Sequence, residues 1–449
     1  MKFGWYTELT PVERRTYWAC FGGFTLDSLD STMYALLAPL LIAVVGISRP
    51  EIGVLATAGL IGNAIGGWTA GIVADRFGRV PVLKFTILWV AAFSLLAAFA
   101  SGFHELMVIR ALQGLGYGGE AAVGGVLISE VVRPELRGRV ASSVQAGFAV
   151  GYALATALMP IVFNLFPETI GWRVMFAIGV IPALLVLMIR KTVPESRIFE
   201  AEAKARRNGG AKNPFWQIFQ PAHRRGTLLG LMLASGVVGG AFAMSAWLPA
   251  YLRIDLHLAV ASAAGYLAIS IAGSLTGPFA SGLLSDKIGR RANFVVLVLC
   301  QAAVVSVFLF FPVSPTATLA LIFLHGMLQS GLAAALLPTF AELFATHIRA
   351  NGAGFCITGG RGFASIAPAA VGLMSATMPL GRAMGISTLT AFAVALVAAI
   401  FMPERSGADL EQDDHPERSD EMKANHVEAA RIDAVCRDDQ SENRISRIA

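Results

Sequence analysis

The sequence predicts an all-α polytopic membrane protein of twelve transmembrane helices, arranged as two pseudo-symmetric six-helix bundles. Three observations carry that reading. Hydrophobic residues fill 55% of the 449 positions and charged residues only 14%, with a mean hydropathy of +0.63, which leaves too little polar surface for a soluble chain of this size. Twelve apolar runs reach the ~20 residues that cross about 30 Å of hydrocarbon at helical rise. Short motifs of the first half also return in the second at a nearly constant spacing.

The runs lie near 17–45, 51–74, 80–101, 105–129, 140–165, 171–191, 226–252, 259–284, 292–312, 316–341, 350–375 and 383–402. The first follows "MKFGWYTELTPVERR", a polar amphipathic stretch without the short apolar core and small-residue cleavage site of a signal peptide, so this span is expected to be retained. The second and third are separated by "GIVADRFGR", and the fourth carries the glycine-rich "RALQGLGYGGE". After the sixth comes the longest polar interruption, 192–225, which sets an N-terminal bundle at 1–191 against a C-terminal bundle at 226–402. Residues 403–449 are highly charged and poor in large apolar side chains, the composition of a disordered tail.

The net charge of +5 suggests a nucleic-acid partner only until the charges are located. Arg76, Arg79 and Lys84 follow the second span, Arg133, Arg137 and Arg139 the fourth, and Lys287, Arg290 and Arg291 the eighth, while nine basic residues crowd the middle loop. Loops on the other side hold at most one each: Arg49, Arg173, Arg253 and Arg382. By the positive-inside rule both termini are expected in the cytoplasm, as in a bacterial inner-membrane protein, with the bilayer rather than nucleic acid as partner. Cys20, Cys300, Cys356 and Cys436 show no metal-ligand or CxxC spacing and read as packing residues.

"GIVADRFGR" (71–79) recurs as "GLLSDKIGR" (282–290), and Glu130 with Arg137 recurs as Glu342 with Arg349. "VPES" at 193–196 returns as "MPER" at 402–405. The halves are therefore copies of one six-helix unit, and an even helix count makes them parallel repeats around a central cavity. The two Glu/Arg pairs sit at helix ends, where ion pairing would help close an inner gate, or where they are solvated turns.

A charge at mid-membrane costs on the order of 3 kcal/mol, so each one calls for a reason. The candidates are Asp27, Asp30, Arg110, Glu120, Arg361 and His325. Asp27 and Asp30 are three apart and share a helix face. Two neighbouring carboxylates in a low dielectric resist simultaneous ionisation, which makes one of them a candidate proton carrier. Gln113 follows Arg110 on the same face and is a candidate for the substrate side. Glu120 lies among glycines that permit close helix packing, and it either carries a proton or meets an arginine. Arg361 cannot discard its charge, and its planar fork matches a carboxylate of the protein or of a substrate. Gln145 is a further candidate for the substrate side. His325 reads as a packing histidine.

The motifs resemble the major facilitator superfamily of transporters. Gly71, Asp75, Arg76, Gly78 and Arg79 match its G-x-x-x-D-R-x-G-R signature, with a degenerate copy at Gly282, Asp286, Lys287, Gly289 and Arg290; Arg110, Gln113, Gly114 and Gly116 match R-x-x-Q-G-x-G. The resemblance implies gating by these loops, with Asp75 latching onto the eleventh helix when the outside is open and Asp286 facing the fifth. It also implies that Arg110 lies near the first-helix acid and takes part in proton coupling. Within the superfamily "DSLD", "GWRVMFAIGVIPALL", "AWLPAYL" and "GGRGFASIAP" resemble the sialate:proton symporter and monocarboxylate permease group, with the aromatic-acid:proton symporters as near neighbours. The function expected is proton-coupled uptake of a small anionic organic acid by alternating access. A proton-coupled exporter and a transport-deficient sensor are the alternatives. No nucleophile–histidine–acid set or phosphate loop points to an enzyme, no cofactor beyond the coupling proton is expected, and a functional monomer suffices.

Overall fold

The computed structural model describes residues 4–180, 193, 195, 215–344 and 348–403, without some of their side chains, those of Arg137, Gln145, Asp286 and Arg349 included. Expectations for the rest of the middle loop, for the end of the sixth span and for the tail fall on residues outside that description. All regular structure among the described residues is helical.

After a short leading helix, Gly4–Glu8, the first half contains α1 (Pro11–Leu40, ending in a π-turn at Leu41–Val45), α2 (Arg49–Phe77), α3 (Arg79–Phe99), α4 (Phe103–Val131), α5 (Pro134–Leu165) and α6 (Glu168–Ile178). The second half contains α7 (Arg224–Ile254), α8 (Val260–Ile288), α9 (Arg290–Phe310), α10 (Pro315–Leu343), α11 (Arg349–Ala364), α12 (Ala367–Met374) and α13 (Leu380–Phe401). Nine helices among the described residues are long and apolar enough to cross a membrane. The other three expected spans are α4, which carries Arg110, Gln113 and Glu120, α6, and the eleventh span, split into α11 and α12.

Several helices begin before their apolar runs because the sequence caps them there. Thr10 and Glu13 form a reciprocal capping box, with Thr10 N–H donating to Glu13 Oε2 at 2.8 Å and Glu13 N–H to Thr10 Oγ1 at 3.3 Å. Ser48 and Glu51 repeat it at the start of α2, at 2.8 and 3.4 Å. Each box satisfies amide donors that the first helical turn leaves without partners. The split of the eleventh span has an equally local cause: Pro368 lacks an N–H, and its ring crowds the carbonyl one turn earlier.

Within each half the tightest packing is between α2 and α4, and between α8 and α10. Backbones touch there, Gly62, Gly114 and Gly118 at the first crossing and Gly273, Gly277 and Gly326 at the second, so the glycine run of α4 is a packing surface. Two other glycines are needed for their backbone. Gly78 (φ 102°, ψ 157°) joins α2 to α3 and Gly289 (φ 86°, ψ 167°) joins α8 to α9, both in a region essentially closed to side chains. Gly71 and Gly282, their partners in the signature, have open space where a Cβ would lie. Ile65, Trp68, Ile72 and Phe77 of α2 are among many large apolar side chains turned outward, as a lipid-facing surface requires.

The halves meet through α1 with α7, α5 with α8, and α2 with α11 and α12. The turns at Gly78 and Gly289 mark one end of the molecule, the basic end. At the opposite end Arg253 of α7 pairs with Glu168 of α6 at 3.3 Å, and Thr57 of α2 hydrogen-bonds into the break between α11 and α12. One buried apolar cluster runs from Leu37, Ile52 and Leu55 into Trp247 and Leu380 of the other half. At the basic end the first half keeps a core of its own around Leu83, Val123, Leu127 and Val140. The conformation is thus closed at the opposite end.

Gly78→Ala is expected to cost about 1–3 kcal/mol, since its Cβ would also fall 2.5 Å from Glu195 Oε2, whereas Gly71→Ala should stay within about 0.5 kcal/mol. Thermal unfolding of the two variants in detergent checks this, and equal effects would contradict the backbone argument.

Candidate functional site

The intramembrane carboxylates come together on one wall. Asp27, Asp30 and Glu120 line a single cleft with Gly23, Val90 and Gly179. Asp30 is 2% exposed and fully engaged. Its Oδ1 accepts from Ser94 Oγ of α3 at 3.0 Å, and its Oδ2 accepts from Gln113 Nε2 of α4 at 2.5 Å. The same amide reaches Ser94 Oγ at 2.7 Å, and Gln113 Oε1 accepts from Arg110 Nη1 at 2.9 Å. Arg110 also lies over the Tyr34 ring, 4.1 Å from its centroid, a stacking that suits a planar guanidinium away from water.

The chain Asp30–Gln113–Arg110 is a charge pair joined through a neutral amide. An unpaired buried charge costs several kcal/mol and a paired one much less, so each ion here makes the other tolerable. Sequence spacing placed Arg110 and Gln113 on one face, and it is that face which meets α1. Gln113 is 1% exposed and links the acid and the base. Ser94 and Tyr34 were missed, because neither a serine nor a tyrosine inside an apolar run stands out by type.

Asp27 differs from Asp30 in setting. It is only half-buried, and it is the carboxylate whose charge acts on Arg361 of α11, from the other half of the molecule. The Arg361 side chain is itself exposed although its helix lies deep at the seam, the signature of a cavity wall. Glu120, 3% exposed, has the Thr86 hydroxyl 3.3 Å from its Oε2. His325 is buried with its Nδ1 2.6 Å from Gln301 Nε2, a satisfied packing position as expected. Gln145 lies outside the described side chains.

At the basic end Glu130 binds Arg79 at 3.0 Å and Glu342 binds Arg290 at 3.1 Å, partners that the sequence reading did not propose. The two pairs occupy matching places in the repeats, so the last arginine of each signature loop ties that loop to the end of the second helix beyond it. Arg137, Arg349 and Asp286 are outside the described side chains. Asp75 forms an ion pair with Arg79 at 3.2 Å, Arg76 lies against Phe77 and Lys287 is exposed. Arg79 is buried and anchored a third way: Glu195 accepts from the Arg79 and Val80 amides at 3.1 Å each, which caps the start of α3 where its dipole favours an anion. The "VPES" repeat was visible in the sequence, but nothing in it pointed to this capping role.

Arg110→Met is expected to destabilise the protein by about 3–5 kcal/mol because Asp30 loses its counter-charge, and adding Asp30→Asn should recover part of that loss. A double-mutant cycle on thermal unfolding measures the coupling, expected above about 1 kcal/mol; additive losses would contradict the pairing.

Comparison with known proteins agrees with this architecture. The model of the Major Facilitator Superfamily matches residues 20–320 and 267–431. The chain is 37% identical over 409 residues to a probable 4-methylmuconolactone transporter of Cupriavidus pinatubonensis, covering 91% of this chain and 95% of that protein. It is 28% identical over 402 residues to the sialic acid transporter NanX of Escherichia coli, covering 89% and 96%. The crystal structure of a D-xylose–proton symporter superposes with a TM-score of 0.73 at 19% identity, over 89% of this chain and 100% of that one. The two helical repeats, the charged groups gathered at their seam and these matches identify the chain as an integral membrane transporter, not an enzyme, of the Major Facilitator Superfamily.

Proposed function

We propose that the protein takes up a small organic acid together with a proton by alternating access. The relatives named for a muconolactone and a sialic acid support the cargo class. The observation that carries the proposal is that Asp27 of α1 and Arg361 of α11, on opposite halves, lie near enough for the charge of one to act on the other. A guanidinium grips one carboxylate well. When a substrate carboxylate takes that place, Asp27 loses its counter-charge in a poorly solvated cleft, and a proton restores neutrality at far lower cost than an unpaired anion. Substrate and proton then enter as a neutral pair, and the halves rock around them.

Each site residue has a role in this scheme. Asp27 takes the coupling proton, Asp30 with Gln113 and Arg110 forms a fixed charge pair that sets its affinity, and Glu120 is a second protonatable wall. Arg361 holds the substrate, with Gln145 proposed beside it. The loops at Gly71–Arg79 and Gly282–Arg290, with Glu130 and Glu342, form the gate at the basic end, and Arg137 and Arg349 are assigned to it from the sequence. Basic loops are retained in the cytoplasm, so the basic end faces inward from a bacterial inner membrane and the conformation described is closed to the outside. The unit of transport is one chain, with the proton as its coupling ion and no further cofactor.

Labelled monocarboxylates, aromatic acids and sialic acid, supplied to cells expressing the chain with and without an uncoupler, test the cargo. Asp27→Asn is expected to abolish accumulation while sparing exchange, and Arg361→Lys to raise KM at least about tenfold through loss of the bidentate fork. Unchanged accumulation in Asp27→Asn would overturn the proton assignment.

A further inference from the structure

The break in the eleventh span holds a side chain that no motif singled out. In an unbroken helix the Ala369 N–H would donate to the Ser365 carbonyl, four residues back. Here the Thr57 hydroxyl, from α2 of the other half, stands between them: its Oγ1 donates to Ser365 O at 2.7 Å and accepts from Ala369 N–H at 3.1 Å. One hydroxyl supplies both a donor and an acceptor, so it satisfies the Ser365 carbonyl and the Ala369 amide together. Around it the helices are in backbone contact. A Cβ on Gly53, one turn before Thr57, would fall 2.6 Å from Pro368 O, and one on Gly372 would fall 2.8 Å from Arg49 O.

We propose that Thr57 is a gating residue, a latch that holds the end opposite the basic loops closed by completing the broken eleventh helix. The inference deepens the alternating-access reading and rests on it, but not on the cargo. Opening that end must withdraw α2 from α11 and α12, and Thr57 must then leave the break. The Ser365 carbonyl and Ala369 amide are left to find each other or water. While Thr57 is seated, both are paired by a group that only the closed form supplies. The interaction is made in one state and lost in the other, which is what allows a contact to shift an equilibrium. A hydroxyl elsewhere on α2 would lack this leverage, because helical Ser and Thr commonly bond within their own helix, as Thr69 does with Ile65 O at 3.0 Å.

Spin labels at Ser101→Cys and Thr377→Cys, exposed positions on the two halves at that end, report its closure in the purified full chain with Cys300 and Cys436 changed to Ser. Thr57→Val keeps the shape and removes the hydroxyl, Thr57→Ala removes it by a second route, and Thr57→Ser restores it. The expected result is a shift of about tenfold toward the long-distance population in both hydroxyl-free variants, as two part-buried groups lose their partner, with Thr57→Ser like the parent. An unchanged distribution in the hydroxyl-free variants, or a Thr57→Ser that behaves like them, would overturn the proposal. So would failure of both hydroxyl-free variants to fold while Thr57→Ser folds, since the role would then be structural. No substrate enters the measurement, so failure of the organic-acid reading shows separately, in uptake.

Discussion

Lipid charges a heavy penalty for an unpaired ion, and the arrangement of this transporter follows from the ways its buried ions are matched. Asp30 and Arg110 are matched permanently, through Gln113, by three helices of one half. The charge of Asp27 acts on Arg361 across the seam, from one half to the other. The first pairing is a property of the fold. The second joins the two halves, and it is there that chemistry enters.

The two kinds of pairing make different demands on the backbone. A permanent pair needs close, fixed helices, which α4 obtains by setting Gly114 and Gly118 against α2 and Gly116 and Gly119 against α3. A pair that opens and closes needs a seam of small contacts that separate without tearing a core. The end opposite the basic loops has such a seam in Gly53 against Gly372 and Thr57 in the broken helix. At the basic end the charged groups are tied within their own halves, Arg79 to Glu130 and Arg290 to Glu342, so each loop is rigid by itself. Rigid units with a separable seam are what rocking between two states requires.

Much of this was legible in the sequence, because membrane burial makes composition informative. Twelve spans, the duplication and the intramembrane charges all stand out where a polar residue is the exception. Helix starts were less legible: Thr10 with Glu13 and Ser48 with Glu51 are ordinary residues whose capping pattern lies outside the apolar runs. Long-range partners were not legible: the loop carrying Arg79 folds back onto Glu130 from 51 positions away, and local spacing holds no record of that. Gln113 could be placed on the face of Arg110 but its bond to Asp30 could not be foreseen, since a helix face can be read from one segment and what packs on it cannot. Thr57 was invisible, because its importance comes from Pro368, 311 residues later.

Neutral pairing has a consequence at the scale of the whole membrane. If the proton that replaces Arg361 beside Asp27 always accompanies one monovalent anion, no net charge crosses, although moving a single charge through 100 mV would be worth about 2.3 kcal/mol. Uptake of a labelled monovalent organic acid into proteoliposomes holding the purified protein, driven in turn by a pH gradient alone and by a membrane potential alone, measures this directly. The account predicts accumulation that follows the pH gradient and ignores voltage. Accumulation driven equally well by voltage without a pH gradient would contradict it.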